Sequence, residues 1–108
     1  MNDVIKAQRA NGSWDIRHIE WMTTISLDKI KSGLSAKSSD TNLLETCWAT
    51  CLVIAMLEEQ YSNQKNEWNL VEQKARKYVK RSLVSMKVND DLFEEAKKFV
   101  KNMKLKVQ

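Results

Sequence analysis

The chain of 108 residues contains no proline, two glycines, two cysteines and one histidine. Each scarcity excludes something. Two Cys and one His cannot build a disulfide framework or a four-ligand structural zinc site from one chain, which predicts a reducing, cytosolic or nuclear compartment. Without Pro, and with Gly only at positions 12 and 33, long stretches have no breaker, and such stretches favour helices. No run of 18 apolar residues is present, so no membrane span is expected. The first residues lack a signal-peptide core, because Asp3, Lys6 and Arg9 interrupt any apolar run. Alternation of period two is missing, which argues against strands. Internal repeats and low-complexity tracts are missing as well.

What is present describes one folded domain. Hydrophobic residues make up 43% and charged residues 30%, a globular rather than a disordered balance. One domain spanning 1–108 is expected by length, and its abrupt start predicts a module of a larger protein. The charge is uneven. Residues 1–64 hold 6 basic and 8 acidic residues, whereas 65–108 hold 12 basic and 6 acidic. A basic half suits an acidic protein surface, nucleic acid or a membrane face; solvated helix faces are the ordinary alternative.

Apolar spacing predicts an all-α bundle of five or six helices. A short helix over 3–9, with Asp3 as cap and Val4, Ile5 and Gln8 on one face, ends at Asn11-Gly12. Ser13 or Asp15 caps a helix over 16–23, with Ile16 and Ile19 on one side and His18, Trp21, Met22 and Ile25 on another. Ser26 caps a third, with Leu27, Ile30 and Leu34 inward and Gly33 as its stop. The small, polar stretch 35–41 is a loop and the candidate for mobility. The strongest helix covers about 43–61. From Cys47 to Leu57 every residue but Thr50 is apolar, the mark of a helix buried nearly all round. Asn66 is expected to cap a helix to about 83, with Trp68, Val71, Ala75, Tyr78 and Val79 inward and Lys74, Lys77, Lys80 and Arg81 off that stripe. A last helix starts near Asn89 or Asp90 and packs Leu92, Phe93, Ala96, Phe99, Val100 and Met103 inward.

Catalytic constellations are scarce. Cys47 and Cys51 lie four apart on one helix face, but a metal would need further ligands that the sequence does not supply. Both are read as core residues with raised pKa, together with Leu52. Glu58-Glu59 and Glu94-Glu95 read as solvating pairs, and no phosphate loop or serine elbow occurs. No cofactor is expected. A basic stripe without aromatics beside it is a weak nucleic-acid signal. Three tryptophans, Trp14, Trp48 and Trp68, sit in phrases that read as structural. Trp21 lies off the Ile16/Ile19 line; it is either an exposed interface aromatic or packed under the 35–41 loop.

The phrases Gln8-Arg9-Ala10-Asn11-Gly12-Ser13-Trp14-Asp15-Ile16, Ser26-Leu27-Asp28-Lys29-Ile30, Trp48-Ala49-Thr50 and Glu67-Trp68-Asn69-Leu70-Val71-Glu72-Gln73-Lys74-Ala75 occur in one order. In that order the chain resembles the C-terminal domain of the von Willebrand factor A domain-containing protein 5 group. The domain that ends the vault-associated poly(ADP-ribose) polymerase is similar. The resemblance covers about residues 4–100. It implies a non-enzymatic module of a large cytoplasmic protein, which docks on the major vault protein and so reaches the vault, a ribonucleoprotein particle. The residues expected to bind are Trp21 and His18, with Lys74, Lys77 and Arg81 as the second candidate face. A general adaptor, binding another protein or other domains of its own chain, is the alternative. Nucleic-acid binding through the basic half comes behind it.

Overall fold

The computed structural model describes residues 2–107. Six α-helices and one 3-10 turn follow each other: α1 (Asn2–Ala7), α2 (Ile16–Thr23), α3 (Leu27–Ser32), α4 (Thr41–Gln60), the turn Ser62–Gln64, α5 (Lys65–Met86) and α6 (Leu92–Met103). No strand occurs among the described residues. The expected all-α bundle is the observed fold.

The centre is α4. Asp40 caps it, its carboxylate accepting the backbone N–H of Leu43 at 3.1 Å. Cys47 to Leu57 are all buried, Thr50 included. A helix with no exposed middle needs partners on every side, and α5, α6 and α2 supply them, with α3 packed on α2.

The three buried tryptophans solve one problem in the same way. A buried indole N–H needs an acceptor, and a carbonyl at a helix end has a lone pair to offer, even where a backbone N–H already bonds it, as Gly33 does Ile30 and Gln64 does Tyr61. Trp14 Nε1 donates to the carbonyl of Val4 in α1 at 2.9 Å. Trp48 Nε1 donates to that of Ile30 in α3 at 3.0 Å. Trp68 Nε1 donates to that of Tyr61, which ends α4, at 2.9 Å. Each tryptophan fills the core and closes a helix end.

Several boundaries and faces differ from the sequence expectation, each for a local reason. α1 stops at Ala7, because Gln8 turns its amide to two carbonyls, Gly12 at 2.9 Å and Val71 at 3.1 Å. In α2 the cap is Asp15, which accepts the N–H of Arg17. Met22 is buried with Ile16 and Ile19 rather than grouped with Trp21. Residues 35–41 are tied down at one end: Ala36 is buried and Ser35 donates to Glu95 at 2.6 Å. Asn66 is no cap; α5 starts one residue earlier, continuing the 3-10 turn, with no side-chain capping bond. α5 also runs past 83 to Met86, and α6 starts at Leu92 with Asp91 as cap.

The two glycines are held by different constraints. Gly12 has φ +97°, and a Cβ there would lie 2.6 Å from the carbonyl oxygen of Lys74. Gly33 has helical backbone angles, φ −80° and ψ −11°. Its Cβ would instead meet the Phe99 ring at 2.3 Å, and that ring packs edge-on against Trp48, centroids 5.7 Å apart. With glycine so rare, left-handed residues at helix ends fall to Thr24, Lys87 and Lys104.

Candidate protein-docking surface

Lys74, Lys77, Tyr78 and Arg81 of α5 form one wall of an open groove of about 520 Å³; Ala10 and Asn11 form the other, and Leu43 of α4 also lines it. Local sequence explains the second wall. The Gln8 amide fastens the 8–12 turn to the α5 carbonyl of Val71. Gly12, lacking a side chain, lets the turn approach α5 at Lys74. Asn11 Oδ1 then accepts both the N–H and the hydroxyl of Ser13. Part of the first of the ordered phrases therefore builds a groove wall, while Trp14 goes to the core.

The groove is basic. Among the described residues no carboxylate lines it, and none of Lys74, Lys77 and Arg81 forms an ion pair. All three are exposed. The structure thus brings together the three cations of the second candidate face.

Trp21 and His18 do not line that groove. Trp21, on α2, is 66% exposed, so it is not packed under the 35–41 loop. His18 is half-buried three residues before it. Its Nδ1 is buried and, among the described residues, has no hydrogen-bond partner. The two candidate faces are separate features of the surface.

Sequence reasoning missed Leu70 and Val84. Both lie on α5 and are 77% and 79% exposed. The available signal was their position relative to the lysines, since neither belongs to the inward stripe.

The remaining polar clusters read as structural. Glu72 is buried, contrary to a simple apolar inner stripe. Arg76 donates to its Oε2 through Nε at 3.1 Å and Nη2 at 3.0 Å, and Lys65 Nζ lies 3.3 Å from Oε1. Burial pushes the Glu72 carboxyl up, but the hydrogen bonds from Arg76 and Lys65 outweigh it and hold it below the usual range. Glu58, expected to be a solvating residue, accepts from Arg76 at 2.9 Å. Glu95, likewise expected to solvate, is half-buried and accepts from Ser35. Cys47 and Cys51 are free and buried. Burial pushes the Cys47 thiol up to about 11 against a hydrogen bond from Ser82, and raises Cys51 well above the usual thiol range. Both are protonated core residues at neutral pH, beside the buried Leu52. No group of three or more metal-ligating side chains occurs among the described residues. Among the described residues no helix is long and apolar enough to cross a membrane.

Comparison with known proteins gives one consistent result. The chain is similar to von Willebrand factor A domain-containing proteins of Dictyostelium discoideum. It is 35% identical to one over 95 residues, which is 88% of this chain and 10% of that relative. A second is 32% identical over 102 residues, 94% of this chain and 10% of the relative. A third is 33% identical over 103 residues, 93% of this chain and again 10% of the relative. The chain therefore spans about a tenth of the length of the relatives it matches. No family model matches the chain. No solved structure matches it either.

Proposed function

We propose that this domain is a non-catalytic docking module that binds the major vault protein and brings its parent chain to the vault particle in the cytoplasm. The observation that carries the docking reading is the open groove edged by Lys74, Lys77 and Arg81, three exposed cations with no carboxylate among its lining residues. The choice of partner rests on the ordered phrases around Trp14, Trp48 and Trp68 and on the domain resemblance they carry. Association through such a surface combines electrostatic steering with a few anchors that hold most of the energy. Arg81 is the cationic anchor of the groove; Trp21, 66% exposed on the separate α2 face, is the aromatic anchor of the other candidate face.

The test is co-sedimentation of the chain with recombinant vault shells at low and high salt. Retention at both is the expected result. Retention at low salt alone means charge adhesion without a specific site. Trp21→Ala or Arg81→Ala should weaken binding by about 2 kcal/mol, roughly 30-fold. If both variants bind like the parent, the assigned anchors are wrong.

A second reading has its own observation. Relatives about ten times longer than this chain carry other surfaces against which such a module can pack. An adaptor of this kind would bind a separate part of its own parent and leave vault shells untouched.

A further inference from the structure

Leu70, Lys74, Lys77, Arg81 and Val84 are all exposed, and they follow each other at spacings of four, three, four and three along α5. At 3.6 residues per turn these five fall within an arc of about 80°, and the stripe is about 21 Å long. It is the spacing by which one helix meets another, with one contact about every 3.5 residues. The inward side of α5 uses other residues, Trp68, Glu72, Ala75, Val79 and Ser82, so the outer stripe is unneeded by the fold.

The geometry points to α5 as the docking face for an acidic amphipathic helix of a partner protein, clamped by Leu70 and Val84 at its ends and by Lys74, Lys77 and Arg81 between them. This inference rests on the docking reading above but not on the identity of the partner. Charge complementarity fixes the chemistry. The three central cations form no ion pair among the described residues. Of the two carboxylates on α5, Glu72 is buried with Arg76, and Glu67 lies one turn beyond the Leu70 end. A partner with carboxylates opposite the cations and apolar side chains opposite Leu70 and Val84 satisfies the whole stripe.

Register selects a helix over an extended segment. Successive contacts along the stripe are about 5 Å apart, whereas same-face side chains of a strand recur every 6.6–6.8 Å or so. Over four intervals an extended chain drifts by about one full contact. A helix repeats at the same step and stays in register. A membrane is disfavoured, because the apolar stripe residues are only two, at opposite ends, and the remaining apolar side of α5 closes the core.

The probe is a helical peptide of about 21 residues, roughly three heptads, with Leu, three Glu and Leu at the same four-three spacing. Its control is a scrambled peptide of equal composition. Binding is read by fluorescence anisotropy at two salt concentrations, with circular dichroism confirming that every variant is folded. The patterned peptide should bind one to one and the scrambled one at least about tenfold more weakly. Lys77→Glu with Arg81→Glu should lose at least about tenfold, and a peptide with three Lys in place of the Glu should restore it. Leu70→Ser with Val84→Ser should also weaken binding, by about three- to tenfold. Equal binding of both peptides, or no binding up to about 1 mM, overturns the assignment. So does recruitment to phosphatidylserine vesicles with the same dependence on Leu70 and Arg81, which would make the ligand a membrane. Patterned-peptide binding supports the stripe even if vault shells fail to retain the chain, and that failure would sink only the partner named above.

Discussion

The hydroxyl of Thr50 accepts the backbone N–H of Trp14 at 3.1 Å and donates to the carbonyl of Thr46 at 2.8 Å. The one polar side chain in the apolar middle of α4 is therefore the peg that fixes the loop before α2. Thr50→Val keeps the shape and removes the acceptor, stranding a buried N–H. It should destabilise by about 1–3 kcal/mol. Thr50→Ser keeps the acceptor and loses a methyl, at about 1 kcal/mol. Denaturant melts of both variants test this; Val at least as stable as Ser would show that the bond contributes nothing.

The glycines should respond differently to a methyl group. Gly12→Ala meets both a left-handed backbone and the rigid carbonyl of Lys74, and should cost roughly 2–4 kcal/mol in any background. Gly33→Ala meets only the Phe99 ring, and should cost about 1–3 kcal/mol. Phe99→Leu should relieve much of the Gly33→Ala cost and none of the Gly12→Ala cost. Thermal melts of the double-mutant cycles decide it.

Acid should weaken the fold through two carboxyls. A hydrogen bond from Arg17 outweighs burial and holds Asp15 down to about 2. Because its pKa is depressed in the folded state, its contribution is complete above the unfolded value of about 4. That contribution is lost as pH falls towards 2. Glu72 is depressed in the same direction. Arg76→Ala should cost roughly 1–3 kcal/mol at neutral pH, less than for a fully buried pair because Arg76 is partly exposed and Lys65 remains. The variant should also show a shallower loss of stability on acidification, measured by urea titrations from pH 6 to pH 2. An unchanged slope would place the acid sensitivity elsewhere.

Lys87 and Lys104 end α5 and α6 in the left-handed region, with φ 58° and 52°. Lys87→Gly and Lys104→Gly should each stabilise the domain by about 0.5–1 kcal/mol. In a domain of this size that is a rise of a few degrees in Tm. A fall in Tm for both would mean that the lysine side chains hold those ends by contacts of their own.

The helices were legible where the pattern is strong. The bare apolar run of α4, the Ser26 cap and Gly33 stop of α3, and the 16–23 limits of α2 all follow from local rules. What escaped depends on long-range partners. Gln8 leaves α1 because two carbonyls, one 63 residues away on α5, bind its amide. Glu72 sits inside because Arg76 and Lys65 reach it, and no one-dimensional spacing weighs that against burial. The groove at Lys74, Lys77 and Arg81 was half legible: the cations show in the sequence, but the wall opposite them comes from residues 10 and 11. Leu70 and Val84 lie off the inward stripe, and a single apolar residue on a charged helix face has no period of its own to mark it.

Along α5, the five residues of the outer stripe and the five buried ones share no member. The residues that give shape and those of the proposed docking stripe are thus two separate sets on one helix. The stripe positions are therefore free to be rewritten by drift, selection or an engineer while the inner row, with Lys65 and Arg76 holding Glu72, keeps the same architecture standing.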